Sequence, residues 1–263
     1  MKVRLISAGV ALLILIPLLW IGKIPFAIGI GIISVLAYKE ILDLKKSHNE
    51  IPDVVKIFGL LCVVYLVLGD YNSSSLNLIL SYQKLLLPIV LLLIPTVFYS
   101  EKKYNTKEAF YLLGTIYLVG ILFNLIISIR NINLYLLLYL LAIPIFTDTF
   151  AYLIGCLIGK HKMCPSISPK KSWEGAIAGL IGGSIVSIII YSNLVGDFSL
   201  KLVLVTLILS AIGQIGDLIY SKIKRENNIK DFSNLMPGHG GILDRVDSIS
   251  FVIFAYVILL LFV

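Results

Sequence analysis

The sequence predicts an all-α, polytopic integral membrane protein with about nine transmembrane helices and a cytoplasmic N-terminus. Of its 263 residues, 59% are hydrophobic and only 14% are charged, whereas roughly 25% of the residues in a soluble domain are charged. The mean hydropathy is +0.98, so the chain has too little polar surface to cover a soluble core. Apolar stretches also follow one another along the chain, most of them near the ~20 residues that a helix needs to cross a bilayer. These observations exclude an ordinary soluble enzyme, a disordered chain and a free nucleic-acid-binding protein.

The apolar stretches are predicted to be helices, because unpaired backbone groups are too costly in lipid and the stretches are too long for barrel strands. The predicted spans are 5–21, 24–42, 54–69, 84–99, 108–129, 132–158, 175–193, 199–223 and 242–263. Lys2 and Arg4 precede the first span, as in a signal peptide. No cleavage site of small residues follows cleanly, however, and a second span begins at once. The first span is therefore predicted to be a retained anchor.

The distribution of positive charge predicts the orientation. With the N-terminus in the cytoplasm, 18 of the 22 Lys and Arg residues fall on the cytoplasmic side, as the positive-inside rule requires. The four on the opposite side are Lys23, Lys84, Arg130 and Lys201. Loop orientation and anionic lipid thus account for the formal net charge of +7, and nucleic acid is not expected as a partner.

The chain divides into a generic part and a part that is predicted to be catalytic. Residues 1–140 contain about five transmembrane helices and no motif. Residues 141–263 form the catalytic transmembrane region, with the two longest cytoplasmic loops at 159–174 and 224–241. The three cysteines form no Cys-x-x-Cys pair, so no disulfide is predicted.

The first unusual cluster begins at Asp148. Asp148, Tyr152, Gly155 and Gly159 follow at spacings of four, three and four, which places them on one helical face. A carboxylate inside an apolar helix is costly and by default indicates a functional site, although a paired packing role for Asp148 is the alternative. The glycines Gly155, Gly159, Gly175, Gly179 and Gly183 are predicted to permit close helix packing.

Residues 168–175 read Ser-Pro-Lys-Lys-Ser-Trp-Glu-Gly. The ammonium groups of Lys170 and Lys171 and the hydroxyls of Ser168 and Ser172 are suited to bind phosphate oxygens. The alternative is an interfacial belt that anchors a helix end, and for Trp173 alone this belt is the favoured interpretation.

A second polar cluster follows in the eighth predicted span. Gln214, Asp217, Ser221 and Lys224 recur at spacings of three, four and three on an otherwise apolar helix. Such a stripe is expected to face a partner helix or a wet cavity rather than lipid.

The loop after this span leads into two further carboxylates. Glycines surround His239, and a turn of this kind can point backbone amides at anionic oxygens. Asp244 and Asp247 follow, three residues apart and so on one helical face. Together with Asp217 they form an oxygen-rich set of the kind that Mg²⁺ prefers. His239 is either a general base or a hydrogen-bond donor to a phosphate, or else a structural member of the turn. No second His or Cys stands at the spacing of a zinc site.

Carboxylates for a divalent metal beside basic groups for phosphates are typical of phosphoryl or nucleotidyl transfer. At this level of detail the sequence also resembles a known family, the phosphatidate cytidylyltransferases or CDP-diacylglycerol synthases. The shared signature is S-x-x-K-R-x4-K-D followed by P-x-H-G-G-x-x-D-R-x-D. Here it is carried by Ser221, Lys224, Arg225, Lys230, Asp231, Pro237, His239, Gly240, Gly241, Asp244, Arg245 and Asp247.

Two upstream elements are similar to the same family, namely residues 168–175 and the group Asp148, Ala151, Tyr152 and Gly155. The resemblance covers about the C-terminal 40% of the chain. Two mild departures are Met236, where Ile or Leu is expected, and Ser233, where Gly is common. Neither is a candidate ligand.

The resemblance implies that CTP and phosphatidic acid react to give CDP-diacylglycerol and pyrophosphate. It also implies a requirement for Mg²⁺, with a second cation left open, and a membrane homodimer. The distribution of positive charge predicts that the site faces the cytoplasm, and the compactness of the chain predicts a bacterial cytoplasmic membrane. Asp217, Asp244 and Asp247 are the predicted metal ligands, with Asp148 as a further ligand, and Lys224 and His239 complete the predicted catalytic set. The predicted substrate-binding residues are Ser168, Lys170, Lys171, Ser172, Ser221, Arg225, Lys230, Asp231, Gly240, Gly241 and Arg245.

Two other functions remain as alternatives. A CTP-dependent lipid-alcohol kinase of the polyprenol type would use the same nucleotide but release CDP instead of pyrophosphate. An ion-coupled transporter would use Asp148 and Asp217 as an ion path, although no inverted repeat with paired broken helices is visible.

Overall fold

The computed structural model describes residues 2–44, 51–69 and 82–261 of the chain. These described residues form ten helices and one two-stranded antiparallel sheet. In chain order the elements are α1 (Lys2–Ile21), α2 (Lys23–Leu44), α3 (Asp53–Leu68), α4 (Tyr82–Leu93), α5 (Pro95–Phe98), α6 (Thr106–Ile132), α7 (Leu134–Ile158), β1 (Lys162–Cys164), β2 (Ser168–Ser172), α8 (Trp173–Leu194), α9 (Leu200–Glu226) and α10 (Leu243–Leu259).

The chain divides into two compact units, each built from two segments of sequence. The first unit comprises Met1–Ile132 and Phe232–Ile242. The second unit comprises Asn133–Asp231 and Leu243–Val263. The segment 232–242, which carries the glycines around His239, therefore belongs to the unit of the N-terminal helices.

The first unit is organised around α6, which packs on α2, α3 and α4 and is buried along most of its length. Tyr38 and Phe123 are among its largest fully buried side chains. The amide of Asn124 on α6 donates to the Val67 carbonyl at 3.2 Å, which satisfies a polar group that would otherwise be buried without a partner.

The end of α1 is tied to the end of α6 within this unit. The Arg130 guanidinium donates to the Leu19 carbonyl at 2.8 and 3.0 Å and to the Trp20 carbonyl at 3.0 Å. Carbonyls in the last turn of a helix have no partner inside that helix, so Arg130 supplies the hydrogen bonds that α1 cannot.

The second unit is held together by a close approach of α7 and α8. A Cβ on Gly175 would lie 2.6 Å from the Ala151 carbonyl oxygen, and a Cβ on Gly179 would lie 2.6 Å from the Thr147 carbonyl oxygen. Because such distances leave no room for a side chain, the predicted packing role of these glycines is confirmed. Thr147 also shares a 2.7 Å hydrogen bond with the Ser210 hydroxyl of α9.

The predicted spans agree well with the described helices, since each of the nine begins within three residues of a helix start. Within the described ranges, five helices are long and apolar enough to cross a membrane: α2, α6, α7, α8 and α9. The helices α3 and α10 have 16 and 17 residues, fewer than the ~20 of a full span. The protein is thus a helical membrane protein, while the count of nine spans and the cytoplasmic N-terminus stay predictions.

Both predicted cytoplasmic loops differ in detail from the structure. In the first loop, β1 and β2 pair antiparallel, so the all-α prediction holds apart from this hairpin. Pro169 favours the strand, because the residue before a proline is driven into extended conformations. In the second loop, α9 continues to Glu226. Lys224 and Arg225 therefore lie in the last helical turn, where positive charge is favourable.

Candidate active site

One cavity in the second unit, about 660 Å³ in volume, collects much of the predicted site. Its walls come from α7, the hairpin, α8, α9 and α10. The predicted site residues that line it are Asp148, Lys170, Lys171, Ser172, Asp217, Asp244 and Asp247. Four carboxylates and two ammonium groups thus meet around one space, as the sequence predicts.

The face of α7 that begins at Asp148 forms one wall. Asp148, Tyr152, Gly155 and Gly159 all line the cavity, so the shared face inferred from their spacing is confirmed. The Ser248 hydroxyl of α10 donates to Asp148 Oδ2 at 3.4 Å. The Asp148 carboxylate therefore faces a polar space although its helix is apolar.

The N-terminus of α8 opens into the same cavity. Ser172 is the N-cap residue, and its hydroxyl accepts a hydrogen bond from the Gly175 amide at 3.2 Å. Ser172, Gly175 and Ala176 all line the cavity. Because the first amides of a helix carry a partial positive charge, this wall favours an anion.

The hairpin supplies lysines to the cavity and is fastened to α8. Lys162 on β1 pairs with Ser172 on β2 and lines the cavity together with Lys170. At the start of the hairpin, His161 Nδ1 lies 2.6 Å from Glu174 Oε1 in the first turn of α8. This contact fastens the beginning of the hairpin to the first turn of α8.

Lys171 and Asp217 form an ion pair between the hairpin and α9. Lys171 Nζ lies 2.6 Å from Asp217 Oδ2, and the two side chains are 27% and 22% exposed. The Ser221 hydroxyl donates to Asp217 Oδ1 at 3.2 Å. Ser221 therefore contacts a carboxylate that lines the cavity, and its contact with substrate stays a prediction.

Lys224 and Asp244 form a second, more deeply buried pair between α9 and α10. Lys224 Nζ lies 2.7 Å from Asp244 Oδ1, and the side chains are only 10% and 3% exposed. Asp247, one turn further along α10, lines the cavity and accepts a hydrogen bond from the Ser248 amide at 2.8 Å. In the polar stripe predicted on α9, Ser221 thus contacts a carboxylate of α9 itself and Lys224 contacts a carboxylate of α10.

Arg225 contacts backbone carbonyls, and its role in binding substrate stays a prediction. Its guanidinium donates to the Ile167 carbonyl at 3.3 Å and to the Ile229 carbonyl at 3.0 Å. It therefore joins the hairpin turn to the segment after α9. Ser168 pairs with Cys164 across the hairpin. Lys230, Asp231 and Arg245 are exposed and are not among the residues that line the cavity.

The glycine-rich turn, defined here as Met236–Gly241, lies in the first unit. The His239 amide donates to the Met236 carbonyl at 2.8 Å, and the Met236 amide donates to the Gly240 carbonyl at 2.9 Å. Gly238 has φ +79° and follows a proline, as a type II turn requires. The turn is compact and internally hydrogen-bonded, so His239 is at least a structural member of it.

The donor chemistry of the cavity fits Mg²⁺. Among the residues that the structure describes, no three His, Cys, Asp or Glu side chains converge as a metal-binding group. Mg²⁺ is usually held by one or two carboxylates with water and substrate phosphates, and it rarely occupies a site built from protein ligands alone. Asp217 and Asp247 on neighbouring helices supply hard oxygens of this kind, so the fit does not depend on a third protein ligand.

Sequence reasoning missed two charged residues. Lys162 lies in the predicted loop 159–174, and no motif in the sequence marks its place opposite Ser172. Glu40 on α2 is 4% exposed, and its carboxylate accepts a hydrogen bond from the Ile242 amide at 2.8 Å. The signal for Glu40 was available, since an acid in an apolar helix indicates a specific role.

The protein has apolar helices of membrane-spanning length and a cavity lined by both carboxylates and ammonium groups. These features are typical of a membrane protein that binds phosphate groups. Comparison with known proteins agrees with this class. The cytidylyltransferase family model matches residues 2–263, and on this evidence of sequence the chain belongs to that family.

Named relatives cover almost the whole chain. It is 38% identical over 260 residues to the phosphatidate cytidylyltransferase of Staphylococcus haemolyticus, with 96% of each chain covered. It is 35% identical over 270 residues to the phosphatidate cytidylyltransferase of Bacillus subtilis, covering 100% of this chain and 98% of the relative. The corresponding protein of Staphylococcus aureus is 35% identical over 257 residues, with 96% of each chain covered.

Proposed function

We propose that this protein transfers a cytidylyl group from CTP to phosphatidic acid, giving CDP-diacylglycerol and pyrophosphate. The observation that carries the proposal is the single cavity that gathers Asp148, Asp217 and Asp247 with Lys162 and Lys170. Such a cavity suits a reaction between two phosphate-bearing substrates, because its carboxylates can bind a divalent cation and its ammonium groups can bind phosphate oxygens. The names of the relatives supply the substrate.

In the proposed reaction a phosphate oxygen of phosphatidate attacks the α-phosphorus of CTP in line, and pyrophosphate leaves. The phosphate monoester is already an ionised nucleophile, so no covalent enzyme intermediate is needed. Lys162, Lys170 and Lys171 would hold phosphate oxygens, and the N-terminus of α8 would add backbone amides. These groups align the two phosphates, and alignment is a large part of catalysis in phosphoryl transfer.

Mg²⁺ is part of the proposal. Asp217 and Asp247 would hold the ion, with Asp148 and Asp244 as further candidates, and a second cation is left open. When bound, Mg²⁺ would offset the negative charge that develops on the reacting phosphates. The Lys171 ammonium beside Asp217 supports this assignment, because it marks that carboxylate as a place for positive charge.

We further propose that the site faces the cytoplasm of a bacterial cell membrane and that the protein is a homodimer. The lysine-rich hairpin and the basic end of α9 support the orientation through the positive-inside rule. Phosphatidate is a membrane lipid and CTP a cytoplasmic anion, so a cavity at this face would meet both. The homodimer follows from the family resemblance, and light scattering of the detergent-purified protein tests it.

Product analysis tests the function. The purified protein is incubated in mixed micelles with α-labelled CTP, phosphatidic acid and Mg²⁺, and lipid-soluble and water-soluble label are then separated. We expect label in the lipid phase, release of pyrophosphate and inhibition by EDTA. Water-soluble labelled CDP that forms only with a lipid alcohol would instead identify a kinase. No turnover of CTP with either lipid would contradict both enzymes and favour the transporter.

A further inference from the structure

Glu40 is a buried carboxylate in the part of the chain that carries no motif. It lies near the end of α2, four residues before Leu44, and is 4% exposed. Removing a carboxylate from water is costly unless hydrogen bonds or charges compensate for it. A residue of this kind is therefore expected to have a specific partner.

The partners of Glu40 are the two ends of the segment 232–242. Glu40 Oε1 accepts a hydrogen bond from the Ser233 hydroxyl at 2.6 Å and another from the Ile242 amide at 2.8 Å. Ser233 lies before the glycine-rich turn and Ile242 lies after it. One carboxylate oxygen thus binds both the segment that enters the turn and the segment that leaves it.

Gly241 shows how closely the carboxylate approaches the turn. A Cβ at this position would overlap both carboxylate oxygens of Glu40. Among the described residues, the glycines with positive φ are Gly22, Gly238 and Gly240, so the backbone of Gly241 does not itself require glycine. Glycine is needed at 241 because the Glu40 carboxylate occupies the space of a side chain.

Ser233 adds a second anchor at a position where glycine is common in the family that the sequence resembles. Its hydroxyl donates to Glu40 and also accepts a hydrogen bond from the Leu235 amide at 3.2 Å. The departure from glycine at this position therefore has a physical consequence, since it links the carboxylate to the start of the turn.

We propose that Glu40 is a positioning residue for the glycine-rich turn, acting through the Ile242 amide and the Ser233 hydroxyl. The inference rests on the proposed function and on the prediction from the sequence that backbone amides of the turn bind anionic oxygens, which we extend to a phosphate of CTP. Ile242 directly precedes α10, whose first turn carries Asp244. Glu40 therefore fixes the chain immediately before a predicted metal ligand as well as the turn.

Kinetics of two Glu40 variants test the positioning role. Glu40→Leu removes the carboxylate that accepts both hydrogen bonds. We expect KM for CTP to rise about tenfold, a factor typical of one lost charged hydrogen bond. KM for phosphatidate should change little. Glu40→Gln keeps an oxygen that can accept both hydrogen bonds and should restore most of the affinity for CTP. Glu108→Leu is the matched control, because it removes another buried acid of the first unit, on α6, and should leave KM for CTP unchanged. Equal KM values for wild type and Glu40→Leu would overturn the proposal.

Two further measurements do not depend on activity. Hydrogen–deuterium exchange of the peptide 232–242 should be faster in Glu40→Leu than in wild type and unchanged in Glu108→Leu. In a thermal-stability cycle, Gly241→Ala should be strongly destabilising in wild type and much less so in the Glu40→Ala background, because the overlap is gone. Gly238→Ala is the control for this cycle: its cost comes from positive φ and should add to that of Glu40→Ala.

These readouts separate the failure of this inference from the failure of the proposed function. Unchanged exchange of the 232–242 peptide, or additive effects of Glu40→Ala and Gly241→Ala, would overturn the positioning role even in an active enzyme. A wild-type protein without lipid-phase label would contradict the proposed function. The exchange and stability measurements would still decide whether Glu40 holds the turn.

Discussion

Lys171 Nζ lies 2.6 Å from Asp217 Oδ2, so the last strand of the hairpin is joined to α9 by an ion pair inside the candidate active site. The sequence assigned these residues separate roles, one as a phosphate ligand and the other as a metal ligand. In the proposed reaction their contact would couple the two roles. If Lys171 turned to a substrate phosphate, its charge would leave Asp217, and the carboxylate would become more attractive to a divalent cation.

Replacement of Lys171 tests this coupling. We expect Lys171→Met to lower kcat/KM for CTP at least tenfold, because the cavity loses a phosphate ligand. Lys222→Met is the control, since Lys222 forms only an exposed pair with Glu226 at 3.8 Å and exposed pairs contribute little. Steady-state kinetics with CTP as the varied substrate measures both. Identical losses in the two variants would contradict a specific role of Lys171.

The metal assignment predicts a change in the requirement for Mg²⁺. Asp217→Asn should raise the Mg²⁺ concentration for half-maximal activity, because an amide oxygen is a weaker ligand than a carboxylate. Titration of activity with Mg²⁺ after treatment with EDTA measures this concentration. Asp197→Asn, at an exposed position between α8 and α9, should behave as wild type. An Asp217→Asn enzyme with a normal Mg²⁺ titration would be evidence against Asp217 as a ligand.

The buried Lys224–Asp244 pair predicts an effect on stability that is separate from activity. Asp244→Ala leaves the Lys224 ammonium buried without its carboxylate, which should destabilise the protein by roughly 3–5 kcal/mol. Adding Lys224→Met removes the buried ammonium as well and should recover much of this loss. Turnover should remain near zero in both variants. Thermal unfolding in detergent reports the stability, and recovery of turnover in the double variant would exclude Asp244 from catalysis.

The contact between α7 and α8 predicts a matched pair of glycine substitutions. A Cβ on Gly183 would lie 2.6 Å from Thr147 backbone atoms, whereas a Cβ on Gly114 has no atom within 4 Å. Gly183→Ala should therefore destabilise the protein by about 1–3 kcal/mol through overpacking. Gly114→Ala, in the middle of α6, should be neutral or stabilising. Thermal unfolding of the two variants under the same conditions distinguishes them, and equal effects would rule out close packing as the cause.

Features that depend on periodicity could be predicted from the sequence. The apolar stretches gave the positions of the helices, because a helix in lipid must satisfy its own backbone. The spacing from Asp148 to Gly159 gave one wall of the cavity, because the helical period fixes which residues share a face. The same argument placed Gln214 and Asp217 towards the cavity.

Pairings between distant segments could not be predicted. Periodicity orients a side chain on its own helix but does not identify the residue that it meets. The sequence therefore gave no indication that Lys224 pairs with Asp244 or that Arg225 binds the hairpin turn. Glu40 stands out as an acid in an apolar helix, but its partners, 193 and 202 residues further along the chain, could not be identified from the sequence.

The discontinuous make-up of the two units has a consequence for biosynthesis. Each unit combines an earlier segment of the chain with one that lies beyond residue 231. Phe232–Ile242 completes the first unit, and Leu243–Val263 completes the second. Synthesis of α1 to α6 alone therefore completes neither unit. Neither unit is complete until residues beyond 231 have been synthesised. A chain that stops at residue 231 would lack Ser233 and Ile242, which bind the Glu40 carboxylate, and would leave both units incomplete.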